Sequence, residues 1–111
     1  ELEDLGNEKK FRVASLLEQI IRHFLLLQFW QDERTYNPSH WRSEIVNFKN
    51  QIDNYLNTNL RNYLTQELPR IYQKALNYVR EKTDNQVRFP GECPYSLENL
   101  FALDWFPPEN E

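Results

Sequence analysis

The 111 residues contain no methionine, a single cysteine and only two glycines. Without a methionine, residue 1 is no translation start. Glu1-Leu2-Glu3-Asp4-Leu5 reads as the end of an amphipathic helix already under way, so a preceding N-terminal helix is expected to be missing from the chain. One cysteine, Cys93, excludes an internal disulfide framework and a cysteine-based zinc cluster. It agrees with a reducing compartment, and a cytoplasmic location is expected. So little glycine argues against an all-β fold with tight hairpin turns. No glycine-rich phosphate loop or dinucleotide fingerprint occurs. The longest apolar run, residues 24–27, falls far short of the roughly 20 residues that cross a bilayer, and no basic-then-apolar leader precedes it. A membrane role is therefore not expected.

What the chain does contain is 40% hydrophobic, 14% aromatic and 27% charged residues, with a formal net charge of −4. This length makes one core and one domain, 1–111, comprising a helix bundle (1–88) and a packed C-terminal tail (89–111). Charge is distributed unevenly. Residues 1–33 hold 4 basic and 7 acidic side chains, residues 34–88 hold 9 and 5, and residues 89–111 hold 0 and 5. A basic middle between acidic ends can be neutralised within the fold or can meet an acidic partner.

Hydrophobic periodicity predicts three main helices in an up-down bundle. The first covers residues 7–30, with Asn7 as its cap. Val13, Leu16, Leu17, Ile20, Ile21, Phe24 and Leu27 form one stripe at helical spacing. Glu18 and Arg22 lie on the far side, spaced to pair at i,i+4. In the last two turns Leu25, Leu26, Phe29 and Trp30 point away from the stripe. That end is apolar all round and needs burial all round. The second helix begins near Pro38-Ser39. Its seam, Trp41, Ile45, Phe48, Ile52 and Tyr55, recurs at 4-3-4-3 spacing.

The third helical region covers residues 60–83, with an apolar face of Leu64, Leu68, Ile71, Tyr72, Ala75, Leu76 and Val79. Pro69 lies inside it, and proline belongs in a first turn or at a kink. The favoured reading is a short turn at 60–64 and a main helix from about Gln66 capped by Thr65. One long kinked helix is the alternative. Thr83-Asp84-Asn85 ends it in either case. Beyond Gln86, Phe89-Pro90-Gly91, Cys93-Pro94-Tyr95 and Trp105-Phe106-Pro107-Pro108 cannot propagate regular structure. Ser96 caps a short helix over 97–103. A tail this apolar is expected to lie back over the bundle and cover the first helix's apolar end.

Reactive constellations are sparse. Neither histidine has the Glu-x-x-His spacing of a di-iron bundle. His23 lies at the flank of the buried stripe and reads as a structural histidine, and His40 sits at the start of the second helix. Cys93 has no cation after Arg88 to lower its pKa and reads as a packed thiol. Arg42, Lys49, Arg61, Arg70, Lys74, Arg80, Lys82 and Arg88 are interleaved with Glu44, Asp53, Glu67, Glu81 and Asp84. Phosphate binding needs cations gathered and unopposed on one face, so nucleic acid is disfavoured. No catalytic residue, cofactor or metal is implied.

Two resemblances bear on function. Arg34 and His40, six residues apart, resemble the arginine–histidine motif of the HEPN-type helical ribonucleases. That resemblance implies a phosphate-stabilising cation beside a proton shuttle, although Pro38 places a loop between the two. More of the chain resembles the bacterial domain-of-unknown-function family 29. The matching strings are Glu3-Asp4-Leu5-Gly6, Gln28-Phe29-Trp30, His40-Trp41-Arg42 with Ile45 and Ile52, Phe89-Pro90, Cys93-Pro94-Tyr95, Leu97, Leu100 and Asp104-Trp105-Phe106-Pro107. The resemblance implies a small all-α fold with no established activity, and a further helix at the front.

The expected function is therefore a non-enzymatic protein-interaction or regulatory module, binding another protein or itself, a homodimer included. An RNA-directed protein using Arg34 and His40 is the alternative. Leu26, Phe29, Tyr63 and Tyr78, off the main stripes, are the expected interface. Trp30, Trp41, Phe48, Tyr95 and Trp105 are expected to anchor core and tail.

Overall fold

Helix α1 (Leu2–Phe29) is the element around which the others assemble. The computed structural model describes residues 2–30 and 38–108, with side chains from residue 7 onward. Helix α2 (Pro38–Asp53), α3 (Thr58–Lys82) and the one-turn α4 (Leu97–Phe101) follow, and no strand occurs among the described residues. At about 1.5 Å per residue, α1 is about 42 Å long, which sets the 47 Å long dimension of the molecule.

The α1–α2 pairing is antiparallel. Trp30 stacks on Trp41 with ring centroids 5.9 Å apart, and His23 meets the edge of Phe48 at 5.4 Å. Helix α3 runs parallel to α1, with Lys10 over Tyr63 at one level and Arg22 over Tyr78 about four turns further on. The order is thus up, down, up. Both α2 and α3 pack extensively on α1 but hardly on each other. The space between them is filled by the tail. Its residues reach α3 through Tyr72 and Gln73, α2 through Lys49, and α1 through Phe24 and Gln28. The tail takes the place of a fourth helix.

Local chemistry places the helix ends, and three differ from the sequence expectation. Asn7 is not a cap. The first helix already runs from Leu2, because the leading Leu and Glu residues are good helix formers and tolerate the roughly 1 kcal/mol cost of Gly6. The break expected at 65–66 is absent, so the long-helix alternative holds. Asn57 caps α3, its Oδ1 accepting from the Leu60 N–H at 2.8 Å. Thr65, far from capping, donates its hydroxyl to the Arg61 carbonyl at 2.8 Å. Pro69 is accommodated because both it and Thr65 lie on the exposed face. The Thr65 carbonyl that loses its backbone donor there faces water. Helix α4 is also shorter than the 97–103 expected. The Asn99 carbonyl, which a further helical residue would use, instead faces the Lys49 ammonium.

Two ends fall as expected. Asp84 and Asn85 adopt left-handed φ of 54° and 58° after the Thr83 cap, and the Asn85 N–H returns to the Arg80 carbonyl at 2.8 Å. Ser96 caps α4 by accepting from the Asn99 N–H at 3.1 Å.

Candidate functional site

Two arrangements of side chains stand out, one closed and one open. The closed one is the seat of the tail. Phe24, fully buried on α1, meets the edges of Tyr95 at 5.1 Å and Trp105 at 5.5 Å. Tyr95 in turn donates its hydroxyl to Gln28 Oε1 at 2.8 Å. Burial raises the Tyr95 pKa far above the usual phenol range, so it stays a neutral donor. Higher up, Tyr72 donates to the Pro90 carbonyl, and burial pushes its pKa up to about 12. Phe89 meets the edge of Phe29 at 6.0 Å.

Beside Phe24 lies Lys49, fully buried. Its ammonium donates to the carbonyls of Ala102 and of Trp105 (2.8 Å), with Asn99 O at 3.5 Å. The aromatic faces of Phe24 and Phe106 lie 4.9 Å and 5.2 Å away. These carbonyls lie at and beyond the end of α4, where the backbone turns outward-facing oxygens to any cation. No carboxylate pairs with Lys49 among the described residues. Desolvation pulls its pKa down to about 8, with Asp104 opposing weakly. Sequence reasoning counted Lys49 among surface cations. The signal that could have found it is its phase, since Ile45, Lys49 and Ile52 follow one another at four and three residues on the buried seam.

The open arrangement lies along the groove between α1 and α3. Phe11 is 69% exposed, the most exposed large hydrophobic side chain among the described residues. It borders a groove of about 240 Å³ lined also by Ala14, Ser15, Glu18, Ile71 and Lys74. Tyr63, with the Lys10 ammonium 5.4 Å from its ring centroid, lies before it along the same seam. Tyr78, 42% exposed and covered by the Arg22 guanidinium at 3.9 Å, lies beyond it. Arg22 is bonded to Glu18, as its spacing predicted, though in this seam rather than on a solvated far side. Arg70 Nε donates to Glu67 at 2.6 Å.

The structure thus sets two of the four expected interface residues, Tyr63 and Tyr78, along one α1–α3 seam and adds Phe11 at the groove between their levels. Of the other two it corrects Leu26. Leu26 is 3% exposed and belongs to the core, because the tail and neighbouring helices cover that end of α1. Phe29 is half-buried against Phe89. The anchors Trp30, Trp41, Phe48, Tyr95 and Trp105 all lie in or against the core. Of the Arg34–His40 pair, Arg34 lies outside the described residues. His40 stands in the first turn of α2, with Nε2 3.8 Å from Glu44 Oε1. His23 Nδ1 lies 2.8 Å from the Gln19 carbonyl, and burial lowers its pKa, which keeps the ring neutral near pH 7. Cys93 lines a second groove, of about 370 Å³, between α3 and the tail. Its thiol donates to the Tyr95 carbonyl at 3.5 Å, and burial raises its pKa. Among the described residues no three His, Cys, Asp or Glu side chains gather to hold a metal ion, and no helix is long and apolar enough to cross a membrane.

Taken together, the architecture is that of an all-α protein in which three helices are closed by an aromatic, proline-containing strap. The chain belongs to the family described as Domain of unknown function DUF29, whose sequence model matches residues 1–106. No curated protein and no solved structure matches it.

Proposed function

We propose that this protein is a non-enzymatic interaction module that meets another protein through the open α1–α3 groove, in the reducing cytoplasm that suits its single thiol. The observation that carries this reading is Phe11, left 69% exposed beside small groove residues and between two cation-covered tyrosines. An exposed aromatic beside Ala14 and Ser15 offers a partner both a knob and a shallow hole. The buried polar side chains support the same reading. Lys49 and Thr83 both direct their donors to backbone carbonyls of the chain itself, which leaves those groups committed to holding the fold.

Site-specific photocrosslinking tests the proposal. A photoreactive phenylalanine at position 11, in producing cells, is expected to give a discrete protein adduct. The same group replacing the exposed Glu98 on α4 gives none. Equal labelling from both positions, or none from either, removes the proposal.

A further inference from the structure

Resting on that reading of the α1–α3 groove, we infer that its occupant is an acidic amphipathic helix of another protein. Shape comes first. Helices α1 and α3 run parallel, so the depression between them is a straight trough into which a third helix can be laid. Tyr63 and Tyr78 are 15 positions apart on α3, about 22 Å or four helical turns. Between them the floor is Ala14 and the nearly buried Ile71, with Phe11 standing at the rim. A volume of about 240 Å³ admits the apolar side chains of one helix face but lies below the roughly 300 Å³ typical of small-ligand pockets.

Charge decides the partner's chemistry. Arg70 and Lys74 line the trough, Lys10 and Arg22 stand over the tyrosines before and beyond it, and the carboxylates among them are Glu18 and Glu67. Those two are already bonded to Arg22 and Arg70. Lys10 and Lys74 make no ion pair among the described residues, so the strip is net positive. A helix carrying Asp or Glu on both sides of its apolar stripe meets one cation at each level of the trough. A second copy of this chain fits poorly, because a two-fold contact through the groove would bring Arg70 and Lys74 of both copies to one seam. Like charges so placed oppose association. A nucleic acid needs unopposed cations, and here half of them are spoken for by carboxylates.

The test uses the whole chain and a pair of fluorescein-labelled peptides of about 18 residues, long enough to hold a helix. Both carry Leu at i, i+3, i+4 and i+7, with flanks of Glu in one and Lys in the other. Fluorescence anisotropy is expected to show the Glu peptide binding at least about tenfold more tightly than the Lys peptide, and weakening between about 0.05 and 0.5 M salt. F11S is expected to abolish binding while leaving the circular dichroism unchanged, since Phe11 is exposed. The double variant R70E/K74E is expected to reverse the preference toward the Lys peptide. Equal binding of both peptides overturns the inference, as does binding of neither or a preference that survives R70E/K74E. Retention of oligo(U) in place of the Glu peptide, or a Phe11-dependent dimer in light scattering, also overturns it. Any of these outcomes beside a specific adduct from position 11 would leave the interaction reading standing and sink only the acidic-helix chemistry.

Discussion

Replacing Lys49 by methionine tests how the tail is held. The ammonium is fully buried, with its pKa depressed from 10.5 to about 8. Folding therefore favours the uncharged form, and the unfolded chain binds more protons between those values. Stability must then rise with pH, starting near pH 8 and levelling off above about 10.5. With 1.36 kcal/mol for each pKa unit, linkage gives a gain of about 1.3 kcal/mol between pH 7 and pH 9. Groups around the tail act in the opposite sense. Cys93, Tyr72 and Tyr95 all have raised pKa values, so they oppose folding once the unfolded thiol and phenols ionise, from about pH 9 upward. Subtracting the K49M curve from the wild-type curve removes them, because K49M retains all three. Urea denaturation at half-unit steps from pH 7 to pH 9 is the assay. The wild type is expected to gain about 1.3 kcal/mol on the variant over that span. At pH 7 itself, methionine escapes the desolvation of a charge but leaves the Ala102 and Trp105 carbonyls without their donor. Each effect is worth about 1–3 kcal/mol, so the slope and not the height carries the information. Parallel curves would refute the reasoning, for they would mean that the carbonyl cluster holds the ammonium as well as water does.

Other outcomes follow from single contacts. Phe24→Ala empties the socket shared by Tyr95, Trp105 and Lys49 and is expected to cost about 3–5 kcal/mol in chemical denaturation. Tyr95→Phe loses the bond to Gln28 while keeping the ring, and should cost about 1 kcal/mol in the same assay. Asp84→Gly relieves a left-handed backbone and removes a negative charge from the end of α3. A gain of about 0.5–1 kcal/mol, seen as a higher melting temperature, is expected.

Much of the fold is legible in residue spacing. The stripe from Val13 to Leu27 and the seam through Trp41, Ile45 and Ile52 name the buried faces directly, since burial is what imposes the period. The apolar surround at the end of α1 likewise demands a cover, which the tail supplies. Caps are less legible. Asn7 and Thr65 have the right chemistry for a helix start. Neighbouring residues that helix readily override them, and Asn57 does the capping one turn before the apolar face begins. Lys49 was masked by its type, since a lysine is read as solvated unless its phase is weighed above its charge. Phe11 was masked differently. It precedes the stripe that starts at Val13, and only the parallel placement of α3 shows which side of α1 remains open there.

That placement also accounts for the other end of α1. The apolar excess around Leu25, Leu26 and Phe29 is met inside the chain, because the tail descends between α2 and α3 onto that end of α1. Seated there by Lys49 and Tyr95, the strap closes the face of α1 that α2 and α3 leave uncovered. Phe11 lies outside this cover. It is two turns before Glu18 and faces α3 at Arg70 and Lys74, away from the tail's contacts at Tyr72 and Gln73. One long helix therefore divides its work along its length. Its C-terminal half binds the chain's own strap, and its N-terminal half, beside a basic α3, keeps an aromatic side chain in water. An exposed ring costs folding nothing in the isolated molecule but gives it nothing either.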